Sequence, residues 1–184
     1  MDATSAHQDT LPVSSDALLE LLRAEGIDFR LHSHPPLHTV DESKEAQAAW
    51  LSPEDGGGHI KNLYLRDHRK RNYLVVAEQD RAIDLKALAA RIGSGRLSFG
   101  SPERLMEHLG VRPGAVTPFA MVTGRATGVE IWIDADLRDR TLIYAHPLVN
   151  DRTIALTRDA LERFLEGLGC EIRWLEFRPP ARVE

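Results

Sequence analysis

The chain has one cysteine, Cys170. A single thiol makes no internal disulfide, so nothing here calls for an oxidising compartment, and CxxC metal motifs are excluded. Long hydrophobic runs are missing as well. Residues 1–10 are polar and lack the apolar stretch of a secretory leader, and no later run approaches the roughly 20 apolar residues that a membrane helix needs. These absences give the expectation of a soluble, cytoplasmic protein with no membrane partner. Positive charge is scarce: 23 Lys and Arg stand against 28 Asp and Glu, a net charge of −5. That excludes a general basic coat for nucleic acid and leaves room for a local basic patch. GxSxG, GxxxxGK[ST] and GxGxxG motifs are absent, and no partner is evident for a cysteine nucleophile, so covalent, nucleotide-driven and dinucleotide chemistry lose ground.

What is present suffices for one ordinary domain. With 184 residues, 42% hydrophobic and 28% charged, the chain can bury a core and solvate its surface. No linker long enough to separate one core from another appears, and no internal repeat. Residues 1–13 carry no periodicity and read as a loose lead-in, 14–178 as the domain, and 179–184 as a tail. Leu18, Leu19, Leu21 and Leu22 recur at helical spacing between a cap at Ser15 or Asp16 and a stop at Gly26. Ile27, Phe29 and Leu31 then alternate as in a half-buried strand. Thr39 and Glu42 form a capping box ahead of a helix through Leu51. Residues 59–66 and 73–77 read as a hairpin with a charged turn, 84–93 and 101–110 as capped helices, and 97–99 as a short strand. Four β-rich stretches follow at 116–122, 129–133, 141–145 and 153–156, then a helix over 159–168 and a strand over 172–177. The interleaving predicts one α+β domain around a mixed sheet.

Several constellations could carry chemistry. Lys61 shares a strand face with Leu63 and Leu65, which places an ammonium among leucines. Either it snorkels to water from an edge strand or it meets an anion or oxyanion. Gly114 lies in a Pro-Gly turn between a helix stop at Gly110 and Pro118. That turn either simply enters a strand or presents free N–H groups to a developing oxyanion. His146 ends an apolar run, where a core histidine and a functional one are both reasonable. His32, His34 and His38 invite a metal, but their spacing matches no recognised zinc pattern and Pro35 and Pro36 divert the chain between them. Arg69, Lys70 and Arg71, with Arg66 and His68, crowd the hairpin turn, either as a solvated turn or as contacts to RNA phosphates.

Three segments taken together, HIKNLYLRD (59–67), DLKALAARIGSGRLSFGSPERLMEHLGVRPGAVTP (84–118) and HPLVNDRTIAL (146–156), resemble the YbaK/ProX family of aminoacyl-tRNA editing domains. Within it the chain is most similar to the free-standing deacylases related to the insertion domain of bacterial prolyl-tRNA synthetase. The resemblance implies a compact α+β fold with a mixed, partly barrel-like sheet surrounded by helices, and hydrolysis without metal or other cofactor of alanine esters on mischarged proline tRNA. By motif, Lys61 would contact the terminal adenosine region, and Gly114 with Pro118 would form the loop whose N–H groups meet the ester carbonyl. His146 would border the aminoacyl pocket, with Asn150 and Thr153 nearby. Asn62 belongs to the same strand motif, and Thr39, Val40 and Phe99 fall where the family lines its pocket. The acceptor end of the tRNA is then the partner, with prolyl-tRNA synthetase as a second one to consider. Such chemistry needs a placed water and preorganised donors, which agrees with the missing nucleophile. The alternatives are a deacylase for another residue such as Cys or Ser, and a noncatalytic tRNA-binding module.

Overall fold

The computed structural model describes residues 2–37 and 56–177. The helix expected near 39–51, and with it His38, Thr39 and Val40, lies outside the described residues. Ser14 accepts the N–H of Ala17 and so caps α1 (Ser15–Ala24), one residue earlier than the sequence suggested. β1 (Arg30–Ser33) follows and is mostly exposed, with Leu31 at 41%. It is an edge strand, which is why it buries less than its alternation implied.

The long strand β2 (Gly57–Asp67) organises the rest. It runs antiparallel to β3 (Asn72–Glu78) from Ile60 to Arg66, and β4 (Leu97–Phe99) pairs with its last residues. Beyond these come β5 (Val129–Asp134), β6 (Leu142–Ala145), β7 (Arg152–Thr157) and β8 (Arg173–Leu175). The first residues of β2, 57–59, pair in parallel with β6. β2 is thereby shared by two half-sheets, and the strand order is β1-β7-β6-β2-β3-β5-β8. Parallel pairs (β2·β6, β3·β5, β5·β8) mix with antiparallel ones, giving the single mixed α/β domain that was expected.

Local signals place the helices. Asp84 caps α2 (Leu85–Ile92), and left-handed Gly93 ends it. Ser101, with Pro102 next, opens α3 (Pro102–Leu109), and left-handed Gly110 closes it. α5 (Arg158–Gly167) is capped by Thr157. Alternation along β2 and β3 sorts two cores. Tyr64, Leu74 and Val76 join the larger core under α1, α3 and α5. Leu65, Tyr73 and Val75 join a smaller one with Leu88 and Ile92 of α2. Among the described residues no helix is long and apolar enough to cross a membrane.

Two stretches differ from the sequence expectation. Residues 116–122, β-rich in composition, form a 3-10 turn, Pro118–Ala120, that runs into the short α4 (Met121–Gly124). Pro118 has a ring-fixed φ suited to the first helical position, and the Thr117 hydroxyl accepts the N–H of Phe119 at 3.4 Å. Phe119, Ala120 and Met121 thereby plug the larger core. The lead-in is also ordered locally: Ser5–Thr10 is a 3-10 helix, and Ser5 bonds Asp151 through its N–H at 2.9 Å and its hydroxyl at 2.7 Å.

Candidate active site

Asn62 shares the larger-core face of β2 with Tyr64, and its Nδ2 donates to the carbonyl of Val116 at 2.9 Å. This bond ties the strand to the turn that follows α3. In that turn Ala115 N–H closes on Arg112 O at 3.0 Å, leaving Gly114 exposed at φ +93°. Such a φ strains any L side chain, so glycine is required on conformational grounds. A methyl group on Gly114 would point at Asn150 Nδ2, 3.5 Å away. Asn62, Gly114, Val116 and Asn150 therefore form one neighbourhood.

Asn150 is 1% exposed. Its N–H is held by Ala3 O at 2.9 Å and its carbonyl by Leu37 N–H at 3.2 Å. The side-chain oxygens of Asn62 and Asn150 are both buried without a partner among the described residues. A buried carboxamide oxygen left unpaired costs about 1–3 kcal/mol, so these two acceptors call for donors from outside the described residues. The loop carrying Asn150 is itself strained: Leu148, buried, sits at φ +68°. A left-handed non-glycine costs on the order of 1–3 kcal/mol and persists only where its surroundings hold it.

His146, at the end of β6, bonds Arg152 O through Nδ1 at 2.8 Å. A carbonyl only accepts, so Nδ1 carries the proton and Nε2 keeps its lone pair. Burial pushes this imidazole below its ordinary pKa, and the neighbouring His34 pushes the same way. His34 lies 6.0 Å from it, ring to ring. His34 Nδ1 bonds Pro35 O at 2.8 Å, so its Nε2 accepts the Thr153 hydroxyl at 2.9 Å. Thr153 is buried on β7, opposite His32. Its hydroxyl orients His34.

Lys61 goes elsewhere. As the sequence alternation requires, it shares the Leu63 and Leu65 face of β2, and its ammonium donates to Arg81 O with Asp80 nearby. Burial lowers its pKa. Lys61 and Asn62 are successive residues and leave the strand on opposite faces, so the ammonium and the Gly114 turn do not face one hollow across β2; they flank the strand. Phe99 is 64% exposed, paired with Leu65 at the far end of β2, and does not reach the Asn62–Asn150 neighbourhood. Arg71 is engaged internally through Asp67, at 2.9 Å, whereas Arg69 and Lys70 are exposed. Pro118 is buried and starts the 3-10 turn. Among the described residues no group of three His, Cys, Asp or Glu side chains is placed to hold a metal. Burial raises the Cys170 pKa, which keeps that thiol protonated.

Sequence patterns single out Asn62 and Asn150 only through their motifs. They give no sign of His34 as the partner of Thr153, nor of Arg112, whose guanidinium reaches Asp2 O at 2.9 Å and His7 O at 3.4 Å. Both depend on contacts more than 100 residues apart, for which a local pattern carries no signal.

Residues 34–164 match the model of the aminoacyl-tRNA editing domain. The chain is 34% identical over 164 residues to the prolyl-tRNA editing protein ProX of Acetoanaerobium sticklandii, covering 89% of this chain and 97% of that one. It is 34% identical over 151 residues to prolyl-tRNA synthetase associated domain-containing protein 1 of Danio rerio, covering 81% and 79%. A shorter match, 29% over 108 residues and 59% of this chain, is to the multifunctional Ser/Thr-tRNA deacylase ProXp-y of Escherichia coli K12. In fold, it superposes on a crystal structure described as a candidate trans-editing enzyme for prolyl tRNA synthetase with a TM-score of 0.64 at 20% identity, covering 89% and 98%. A family match over most of the chain and a relative at this identity over nearly its whole length show that the chain belongs to the family of aminoacyl-tRNA editing domains.

Proposed function

We propose that this protein is a trans-editing aminoacyl-tRNA deacylase that hydrolyses the ester of alanine mischarged on proline tRNA. The observation that supports the reading is the pair of buried carboxamide oxygens, Asn62 and Asn150, without partners among the described residues and beside the exposed Gly114 turn. An aminoacyl ester brings donors for such acceptors: the α-ammonium of the amino acid and the free hydroxyl of the terminal ribose. The turn supplies main-chain N–H where negative charge develops on the carbonyl oxygen, a contribution worth about 3–4 kcal/mol per donor in comparable sites.

Water attacks the carbonyl carbon, the bond from that carbon to the ribose oxygen breaks, and the ribose oxygen takes the proton. His146, neutral and with Nε2 free to accept, orients the water together with the terminal ribose hydroxyl. Lys61 flanks the same stretch of β2 from its other face, and we assign its ammonium to the phosphate or ribose of the last nucleotide rather than to the carbonyl. Exclusion by size accounts for alanine over larger residues. Discrimination among residues differing by one methylene is limited to about 1–3 kcal/mol. The likeness to a Ser/Thr-tRNA deacylase supports a second reading, a related deacylase with serine as its residue.

The test is deacylation of alanyl, cysteinyl, seryl and prolyl esters of proline tRNA. Alanyl ester is expected to turn over at least tenfold faster than prolyl. A faster seryl ester would favour the second reading, and hydrolysis of none would overturn both.

A further inference from the structure

The β2–β3 hairpin tip meets the turn between α2 and β4, and together they build a surface the catalytic reading does not use. Asp67 is the one carboxylate of the hairpin turn, and it points inward. It accepts the N–H groups of Arg69 and Arg71 and the Arg71 Nε, each at 2.9 Å, and the Tyr73 hydroxyl at 3.3 Å. These bonds outweigh burial and hold its pKa at about 2. Arg71 also reaches Gly93 O at 3.3 Å, and the His68 ring lies so close over Gly95 that a Cβ there would collide with it. The register Leu65↔Phe99 and Arg66↔Ser98 sets Arg96 beside the tip and puts Phe99 on the Leu65 face of this sheet edge, with Arg66 on the other face.

His68, Arg69, Lys70, Arg96 and Phe99 are exposed, and Arg66 is half-buried. Among the described residues Arg66, Arg69, Lys70 and Arg96 form no ion pair with a carboxylate. Cations concentrated beside an exposed aromatic, in a chain of net charge −5, suit a partner with regularly spaced negative charge and stackable rings. We propose that Arg69, Lys70, Arg96 and Phe99, at the hairpin tip and the β4 edge beside it, form the docking surface for the acceptor stem of the tRNA. The cations take backbone phosphates, and Phe99 stacks on an unpaired base near the end. This rests on the function proposed above and extends it to the partner's contact surface. Arg66 lies four residues along β2 from Asn62, about 13 Å at 3.3 Å per residue. An end seated at Asn62 therefore places the backbone phosphates of the preceding nucleotides over the tip.

The experiment compares the wild type with an Arg69→Glu, Lys70→Glu, Arg96→Glu triple variant and with Phe99→Ala and Phe99→Trp. It measures binding of uncharged tRNA across a salt series, and turnover of mischarged tRNA beside turnover of the same aminoacyl ester on a CCA trinucleotide. For the triple variant the KM for tRNA is expected to rise at least tenfold and the salt slope to fall by about one for each phosphate no longer neutralised, while the trinucleotide ester turns over as before. Phe99→Ala should weaken tRNA binding about tenfold and Phe99→Trp should restore it. Unchanged tRNA binding and salt slope in the triple variant would overturn the proposal. Unchanged tRNA binding together with loss of polyglutamate binding would overturn it in favour of an acidic protein. If the wild type hydrolyses neither ester while the triple variant still loses tRNA binding, the catalytic reading fails and the docking surface stands.

Discussion

The ammonium of Lys61 donates to the main-chain carbonyl of Arg81, and the Arg81 guanidinium is itself gripped by Asp134 and Asp136. Asp134 is fully buried; it also accepts the N–H of Glu78 at 3.2 Å. The position of the one cation on that face of β2 therefore depends on an ion pair formed with the end of β5. Two substitutions separate the members of this chain of contacts.

Asp134→Ala removes the buried carboxylate of this cluster, leaves Asp136 and Glu78 as the partners of the Arg81 guanidinium, and unties the N–H of Glu78. Losing a buried charged acceptor whose donors keep other partners costs about 1–3 kcal/mol, measured as a shift in the urea midpoint. Lys61→Met keeps the aliphatic stem and removes a charge that burial already disfavours. Stability should stay within about 1 kcal/mol, while kcat/KM on mischarged tRNA falls about 100-fold, or about 2.7 kcal/mol. A Lys61→Met protein that is folded and fully active would remove the ammonium from the mechanism.

Gly114→Ala tests the turn. The methyl group meets no severe clash, since Asn150 Nδ2 is 3.5 Å away, but φ +93° is unfavourable for alanine. The expected stability loss is about 1–2 kcal/mol. The turn would relax toward negative φ and re-aim its N–H groups, so kcat should fall by roughly 10- to 1000-fold with KM little changed. A rise in KM alone would point to a binding role only.

What the sequence made legible was whatever a few neighbouring residues decide. Ser101–Pro102 and Gly110, Asp84 and Gly93, and the alternation along 59–66 each specify their element locally. Applied to the site, the same alternation already separates Lys61 from Asn62, because consecutive strand residues face opposite ways. The strand expected at 116–122 failed because Pro118 and the Thr117 hydroxyl outweigh β-branched composition. The functional core was only half visible for a different reason. Asn62 meets Val116, His34 meets Thr153 and Asn150 meets Ala3 across 54, 119 and 147 residues, and such meetings are set by the sheet order. The inward use of Arg71 is local, yet a run of four basic residues gives no sign of which one a buried aspartate will claim.

The pH dependence of activity should report His146. Burial lowers its pKa, so the neutral form with Nε2 free persists through neutral pH and is lost only as pH falls below the ordinary value of 6.5. His34 faces it and lowers the pKa further, whereas Asp151 and the bond to Arg152 O oppose the shift. kcat/KM is expected to be flat from about pH 8 to 6.5 and to fall at lower pH. In His146→Ala the rate should drop and the acid limb should vanish. The same limb in that variant would assign it to another group.

His59 makes a stability prediction of the same sign. It stacks on Tyr144 at 4.6 Å, its Nε2 is buried without a partner among the described residues, and burial pushes its pKa down to about 4. A lowered pKa means that the unfolded chain binds the proton first. The stabilisation is complete above about pH 6.5 and is lost as pH falls from there toward 4, on the order of 2–3 kcal/mol in all. His59→Phe keeps the stacked ring and removes the titration, so its denaturant midpoint should vary less between about pH 7 and 4.5 than that of the wild type. Parallel curves for the two proteins would contradict this origin.

Arg112 tests whether the first residues of the chain brace the site. Its guanidinium takes Asp2 O, His7 O and the Thr10 hydroxyl, and it lies two residues before Gly114. The same segment holds Asn150 through Ala3 O and Asp151 through Ser5. One stretch of chain thus fastens both the Gly114 turn and the Asn150 loop. Arg112→Ala should lower kcat about tenfold with little change in KM, because a loosened turn misplaces donors that act in the transition state. Arg112→Lys should not rescue it, since an ammonium cannot span acceptors spread over residues 2–10 as the planar fork does. Combining Arg112→Ala with Ser5→Ala should cost less than the sum of the two, the signature of groups acting on one element. Full additivity, or an unchanged kcat in Arg112→Ala, would show that the segment covers the site without positioning it.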